Sequence, residues 1–143
     1  MTCFLETTPG CTSLFTFLYQ YHYWGPTLLR LGLGIIFLIH GYKKLFGGIE
    51  GTGQFFESVG IMPGRFFAYL VGIIEFVGAI LLFVGLFVQP VAILFAIIML
   101  VAIIKVKFSQ GFVGGYEFEF ALLMMSLALL ILGPGGYSID LPF

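Results

Sequence analysis

The sequence predicts an all-α membrane protein: a four-transmembrane-helix bundle with a short interfacial helix in the first loop. Three observations carry that prediction. The 143 residues are 60% hydrophobic and only 9% charged, with a mean hydropathy of +1.12, whereas a soluble domain needs roughly a quarter of its residues charged to cover its surface. Four apolar runs approach the ~20 residues that cross a bilayer. The runs are continuous and lack the alternation of a membrane β-barrel. The composition also excludes a disordered chain, and two cysteines are too few for a disulfide scaffold. A formal net charge of −1, without a basic run, leaves no electrostatic footprint for nucleic acid.

Residues 1–24 read as a tail with an interfacial aromatic belt of Tyr19, Tyr21, Tyr23 and Trp24. The tail lacks a basic start, a long apolar run and a cleavage site, so it does not read as a signal peptide. Residues 25–143 form the transmembrane domain. The first span, 25–45, carries Arg30 near one end and His40 and Lys43 near the other. In the loop that follows, 52–61 sets Phe55, Phe56 and Val59 on one helical face, which suits a short helix lying in the interface. The second span, 66–88, contains the single charge Glu75. Gln89 and Pro90 break it, and because proline is tolerated in the first turn of a helix, a third span follows over 90–104. Lys105 and Lys107 are then free to snorkel outward. The fourth span, 116–132, stops at Gly133, Pro134, Gly135 and Gly136.

The basic loop residues Lys43, Lys44, Arg65, Lys105 and Lys107 all fall on one side of this topology. By the positive-inside rule that side is cytoplasmic and both termini lie outside. Cys3 and Cys11 would then occupy a disulfide-permissive compartment, either bonded to each other or as two separate thiols.

An ionisable side chain within hydrocarbon costs several kcal/mol unless it faces the bundle interior and finds a partner. At about 100° per residue, Arg30, His40 and Lys44 share a sector of roughly 80° beside Gly34 and Gly41, small residues that let a second backbone approach. In the second span Ala68, Gly72, Glu75, Ala79 and Leu82 make a similar stripe. In the fourth, Glu117, Ala121, Met124 and Ala128 line up, with Glu119 and Ser126 on the opposite face. The expected bundle has a polar interior in which Arg30 pairs with Glu75, while Glu117 lies near Lys43, Lys44 and Lys105. Such pairs can serve only to fix helix register. Alternatively, Arg30, His40 and Glu75 surround a cavity that binds a polar headgroup or passes a proton.

Other chemistries find little support. His22 and His40 are far apart and no C-x-x-C pair exists, so neither a metal nor a haem site is expected. The glycines at 47, 48, 51 and 53 lack phosphate-cradle spacing. Met99, Met124 and Met125 read as core filler. No nucleophile and base pair stands out, so no catalytic residue is assigned.

From about residue 28 to 140 the chain resembles the DoxX family of small four-span membrane proteins. The matching marks run in order: Arg30 and Gly34; His40, Gly41, Lys43 and Leu45; Gly60, Ile61, Met62 and Pro63; Glu75, Gly78 and Gly85. The endings are the most specific, Gly114, Gly115, Tyr116 and Glu117 and then the run 133–140, with Gly136 standing where the family often carries arginine or another polar residue. The family's distant relatives include the large membrane subunit of archaeal thiosulfate:quinone oxidoreductase and a eukaryotic surfeit-locus cargo receptor.

The resemblance implies an integral subunit associated with a membrane oxidoreductase assembly in a prokaryotic plasma membrane. It would lie among membrane lipids and other subunits, without an intrinsic cofactor. A quinone or lipid headgroup site would use Arg30, His40, Lys43, Glu75 and Glu117, with Gly34, Gly41, Gly72, Tyr116 and Asp140 in structural roles. The rival expectation is an autonomous transporter or cargo-type protein with Arg30 and Glu75 on a solute or proton path. It ranks second because no paired broken helices mark a transport site.

Overall fold

The structure is a computed structural model and describes residues 21–140. Cys3, Cys11 and Tyr19 lie outside the described residues. Helix α1, Trp24–Gly47, accommodates Pro26 because the amides of a first turn have no helical partner in any case. Helix α2, Ile49–Ser58, follows after Gly48, whose carbonyl accepts from both the amide and the hydroxyl of Thr52. It therefore begins and ends three residues earlier than the 52–61 pattern suggests, and it stops before Gly60 at φ 80°. Helix α3, Gly64–Val84, starts after Pro63 and ends at Gly85, a left-handed residue at φ 72°. The amides of Gly85 and Leu86 bond back to the carbonyls of Leu82 and Leu81, satisfying the helix terminus.

Helix α4, Val88–Ala102, runs on through a wider turn at Ile103–Lys107 and a tighter one at Phe108–Gln110. Its apolar span is thus Val88–Gln110, longer than the expected 90–104. A turn at Phe112–Tyr116, broken at Val113 and Gly114, leads into helix α5, Glu117–Leu132. Among the described residues four stretches are long and apolar enough to cross a membrane: Trp24–Gly47, Gly64–Val84, Val88–Gln110 and Phe112–Leu132. The chain is an all-helical integral membrane protein.

In hydrocarbon the aliphatic faces gain nothing by leaving water, so helix association rests on close packing and polar contacts. α1 packs closely on α3 and α4 on α5, while α3 and α4 meet more lightly. Gly41 sets the first pairing, since a Cβ there would lie 2.5 Å from the backbone nitrogen of Phe76. The stripe expected on α3, Ala68, Gly72, Glu75, Ala79 and Leu82, is buried throughout. Stacked rings of Phe37 and Phe95, with centroids 3.8 Å apart, join the two helix pairs.

On α5 the structure corrects the expectation. The buried face is Leu122, Ser126 and Leu129, not the stripe of Glu117, Ala121, Met124 and Ala128. Ser126 tolerates complete burial because its hydroxyl donates to the Leu122 carbonyl of its own helix at 2.8 Å. The bulkier leucines then fill the groove against α4.

Candidate functional site

The charged residues drawn into the bundle gather at two places, and they do so in different company from that expected. Arg30 is 2% exposed and does not pair with Glu75. Its two terminal nitrogens donate to the carbonyls of Pro134, at 3.1 Å, and Tyr137, at 3.0 Å. The guanidinium fork suits two carbonyls presented by a folded loop, and no carboxylate on α3 lies at its level. Gly85 makes room for it, because a side chain there would collide with an Arg30 terminal nitrogen and with Ser138.

The same loop is fastened at further points, among them the Gly136 amide, which donates to Tyr23 O at 3.2 Å. Thr27 donates to Gly136 O at 2.8 Å, the amides of Ile139 and Asp140 donate to Gly85 O, and an Asp140 carboxylate oxygen accepts from the Val88 amide at 2.8 Å. Asp140 thus caps α4, where an anion also suits the positive end of the helix dipole. Gly34 lies buried beside the Phe83 ring. Arg30 and Asp140 therefore anchor the C-terminal loop and stand apart from the polar cavity.

That cavity has a volume of about 740 Å³ and lies at the other end of the bundle, between the two helix pairs and beneath α2. Its walls are apolar, with Ile74 and Phe67 from α3, Ile98 and Met99 from α4 and Phe55 and Phe56 from α2. Its polar groups are Glu75, Lys44, His40, Glu119, Lys107 and Lys105, with Thr52 at the α2 side. Lys44 donates to Glu75 Oε1 at 2.5 Å, reaching from α1 to α3. Gly72 meets the Leu45 side chain one turn away from Glu75, which keeps the two helices close enough for the pair.

A second pair mirrors the first across the cavity, with Lys107 Nζ 2.7 Å from Glu119 Oε1. In each carboxylate the other oxygen, Oε2, is buried and has no hydrogen-bond partner. His40 places Nδ1 2.8 Å from the Ile36 carbonyl, and since a carbonyl only accepts, that nitrogen is the donor. In the neutral ring Nε2 is then the acceptor.

Of the residues expected in a headgroup site, the structure brings His40 and Glu75 to the cavity and places Arg30, Lys43 and Glu117 elsewhere. Lys43 is exposed on the outer side of α1. Glu117 is exposed and accepts from the Gly114 amide at 3.1 Å, so it caps the turn into α5 and does not enter the bundle. Tyr116 lies against Phe108 and Phe112, its ring nearly parallel to the first, in the turn between α4 and α5. Glu119 and Lys107 are the residues that sequence reasoning missed. Their signal was present as the 3-4-3 spacing of Glu119, Leu122, Ser126 and Leu129, the alternative to the small-residue stripe.

The DoxX family model matches residues 25–108. The "Putative oxidoreductase CatD" of Bacillus subtilis is 44% identical over 119 residues, covering 83% of this chain and 86% of that protein. An uncharacterized membrane protein of Mycobacterium tuberculosis is 32% identical over 126 residues, covering 78% and 77%. The inner membrane protein YphA of Escherichia coli is 32% identical over 126 residues, covering 80% and 89%. No solved structure gives a significant match. With the family model spanning more than half of its length and relatives aligned along most of theirs, this chain belongs to the DoxX family of membrane proteins.

Proposed function

We propose that this chain is a membrane subunit working with an oxidoreductase assembly, and that its cavity holds a quinone or a lipid. One observation carries the reading. The 740 Å³ cavity joins an apolar wall to a compact polar head, the form expected of a site for an amphipathic molecule. Several of its wall residues, Leu70 on α3 and Leu94, Ile97 and Val101 on α4, are also exposed on the outside of the bundle. The cavity wall is therefore continuous with the lipid-facing surface where α3 and α4 meet lightly, and a lipophilic ligand can enter sideways from the bilayer.

The oxidoreductase association draws support from the printed name of the Bacillus relative. The cavity's lysines, carboxylates and histidine bind and hold protons, so electron transfer is assigned to a partner subunit. Among the described residues no group of three or more His, Cys, Asp or Glu converges as a metal site would require.

Purification in mild detergent, followed by solvent extraction and mass spectrometry, tests the reading. The expected result is a quinone or lipid recovered near one per chain, with redox-active polypeptides in the same particle. A lone particle that carries no lipophile and moves a polar solute across vesicle membranes would overturn it in favour of a transporter.

A further inference from the structure

The carboxylates and lysines that line the cavity do not cancel. Lys44 bonds Glu75 and Lys107 bonds Glu119, whereas Lys105 has neither a hydrogen bond nor an ion pair among the described residues. The two pairs are also lopsided. Each carboxylate is the deeper member, 1% and 13% exposed, and its lysine, 24% and 34% exposed, is the outer one. The second carboxylate oxygens, Glu75 Oε2 and Glu119 Oε2, are closed off altogether. The charge that an entering molecule meets is therefore cationic, and Lys105 is the part of it that nothing in the fold answers. Lys105 and Lys107 both lie on the wide turn Ile103–Lys107, a type of turn frequent at functional sites.

Lys105 also ends an apolar track. Leu94, Ile97 and Val101 recur at three- and four-residue spacing on one face of α4, line the cavity and are exposed on the outside of the bundle. Lys105 follows Val101 by four residues, lines the same cavity and is exposed. At 1.5 Å per residue the track from Leu94 to Lys105 is about 16 Å long, close to one leaflet's half of the ~30 Å hydrocarbon core.

We propose that this track and the cavity behind it bind an anionic phospholipid, with an acyl chain along Leu94, Ile97 and Val101 and the phosphate against the Lys105 ammonium. The inference rests on the lipophile-site reading above and selects, between a quinone and a lipid, the lipid with a net negative head. A lysine stem lies along apolar surface while its ammonium stays at the polar level of the membrane, which is where a lipid phosphate sits. Basic pockets between transmembrane helices hold phosphate-bearing lipid heads by this attraction. A quinone head is neutral and leaves the Lys105 charge unanswered. A zwitterionic head brings a cation of its own into the company of Lys44, Lys105 and Lys107.

The experiment places the full chain in phosphatidylcholine bilayers and reads the quenching of a reporter tryptophan by brominated phosphatidylglycerol or by brominated phosphatidylcholine with the same chains. Trp24, the only tryptophan of the sequence, is replaced by phenylalanine. Val101→Trp then reports the track, and Ile39→Trp, exposed on α1, reports ordinary lipid-facing surface; if Val101→Trp does not fold, Ile97→Trp takes its place. Phosphatidylglycerol is expected to be preferred about fivefold at the track, or ~1 kcal/mol at 1.4 kcal/mol per tenfold, and to show no preference at Ile39→Trp. Lys105→Gln should bring the track's preference below twofold, while Lys43→Gln, at the same end of the bundle but away from the cavity, should leave it unchanged. Equal quenching by the two lipids at the track, or the same preference at both reporters, overturns the inference and leaves the lipophile reading standing. So does a preference abolished by inorganic phosphate but not by sodium chloride of matched ionic strength, which would assign Lys105 to free phosphate. Absence of quenching by either lipid at the track overturns both, because the bilayer would then not reach the cavity.

Discussion

Lys44 holds one oxygen of Glu75 at 2.5 Å and leaves the other buried without a partner, so the tie between α1 and α3 runs through a carboxylate that has no second donor. Its loss should be felt in stability before any ligand is considered. Lys44→Met leaves the Glu75 carboxylate desolvated and unpaired, a situation that costs about 3 kcal/mol. The variant should melt well below the parent in detergent. Replacing both partners, Lys44→Met with Glu75→Leu, should recover most of the loss, because the expense lies in the stranded charge. If the single variant melts with the parent, the pair is not holding the helices.

Glu119 and Glu117 are two residues apart and should behave oppositely. Glu119 is 13% exposed and bonded to Lys107, whereas Glu117 is exposed and caps the Gly114 amide. Glu119→Gln should cost about 2 kcal/mol as a charge-assisted bond is weakened, and Glu117→Gln about 0.5 kcal/mol as a solvated cap is exchanged for a poorer one. Differential scanning fluorimetry on the two variants is sufficient. A larger loss for Glu117 would restore the α5 face that the sequence pattern favours.

The loop held by Arg30 supplies a local readout. Arg30→Met removes both donors to Pro134 and Tyr137 and should cost about 3 kcal/mol. Hydrogen exchange across residues 133–140 should accelerate, while exchange in the middle of α3 changes little. Tyr137 sits at φ 56°, a left-handed conformation that a non-glycine residue holds only when its surroundings impose it, so its amide should respond first. Gly85→Ala should reproduce the effect from the other side, since its methyl group would occupy the space of the guanidinium. Unchanged exchange in both variants would show that the loop is held by other contacts.

We propose that both ends of the transmembrane domain face the outside. Basic residues crowd one end of the bundle, with Lys43, Lys44, Arg65, Lys105 and Lys107 set against Arg30 alone at the other. On a background with Cys3 and Cys11 replaced, Ser58→Cys should label from the cytoplasmic side and Ile139→Cys from the outside, both positions being exposed. Labelling from the same side would refute the four-span topology, and reversed sidedness would refute the orientation drawn from the basic residues.

The sequence by itself determined that this chain crosses a membrane four times as helices, because the length and continuity of an apolar run are properties of one segment and the bilayer demands them of each segment separately. It also determined the buried face of α3, where a single charge and three small residues fall on one stripe and leave no competing choice. The partners of the charges were decided only by tertiary structure. Arg30 and Glu75 look complementary along the chain, but Gly41 is the residue level with Glu75, which puts Lys44 within about one turn of it and Arg30 about three turns away beside Gly85, and the C-terminal loop brings two carbonyls to Arg30 across more than a hundred residues. The rotation of α5 was likewise open, since Ala121 and Ala128 argued for one face and the self-satisfied Ser126 permitted the other. Packing of Leu122 and Leu129 into the bundle settled it, and that rotation carried Glu119 to Lys107 and into the cavity. Hydrophobicity is additive along a chain, whereas the pairing of buried charges depends on the relative rotation and height of helices, quantities that exist only once the helices have packed.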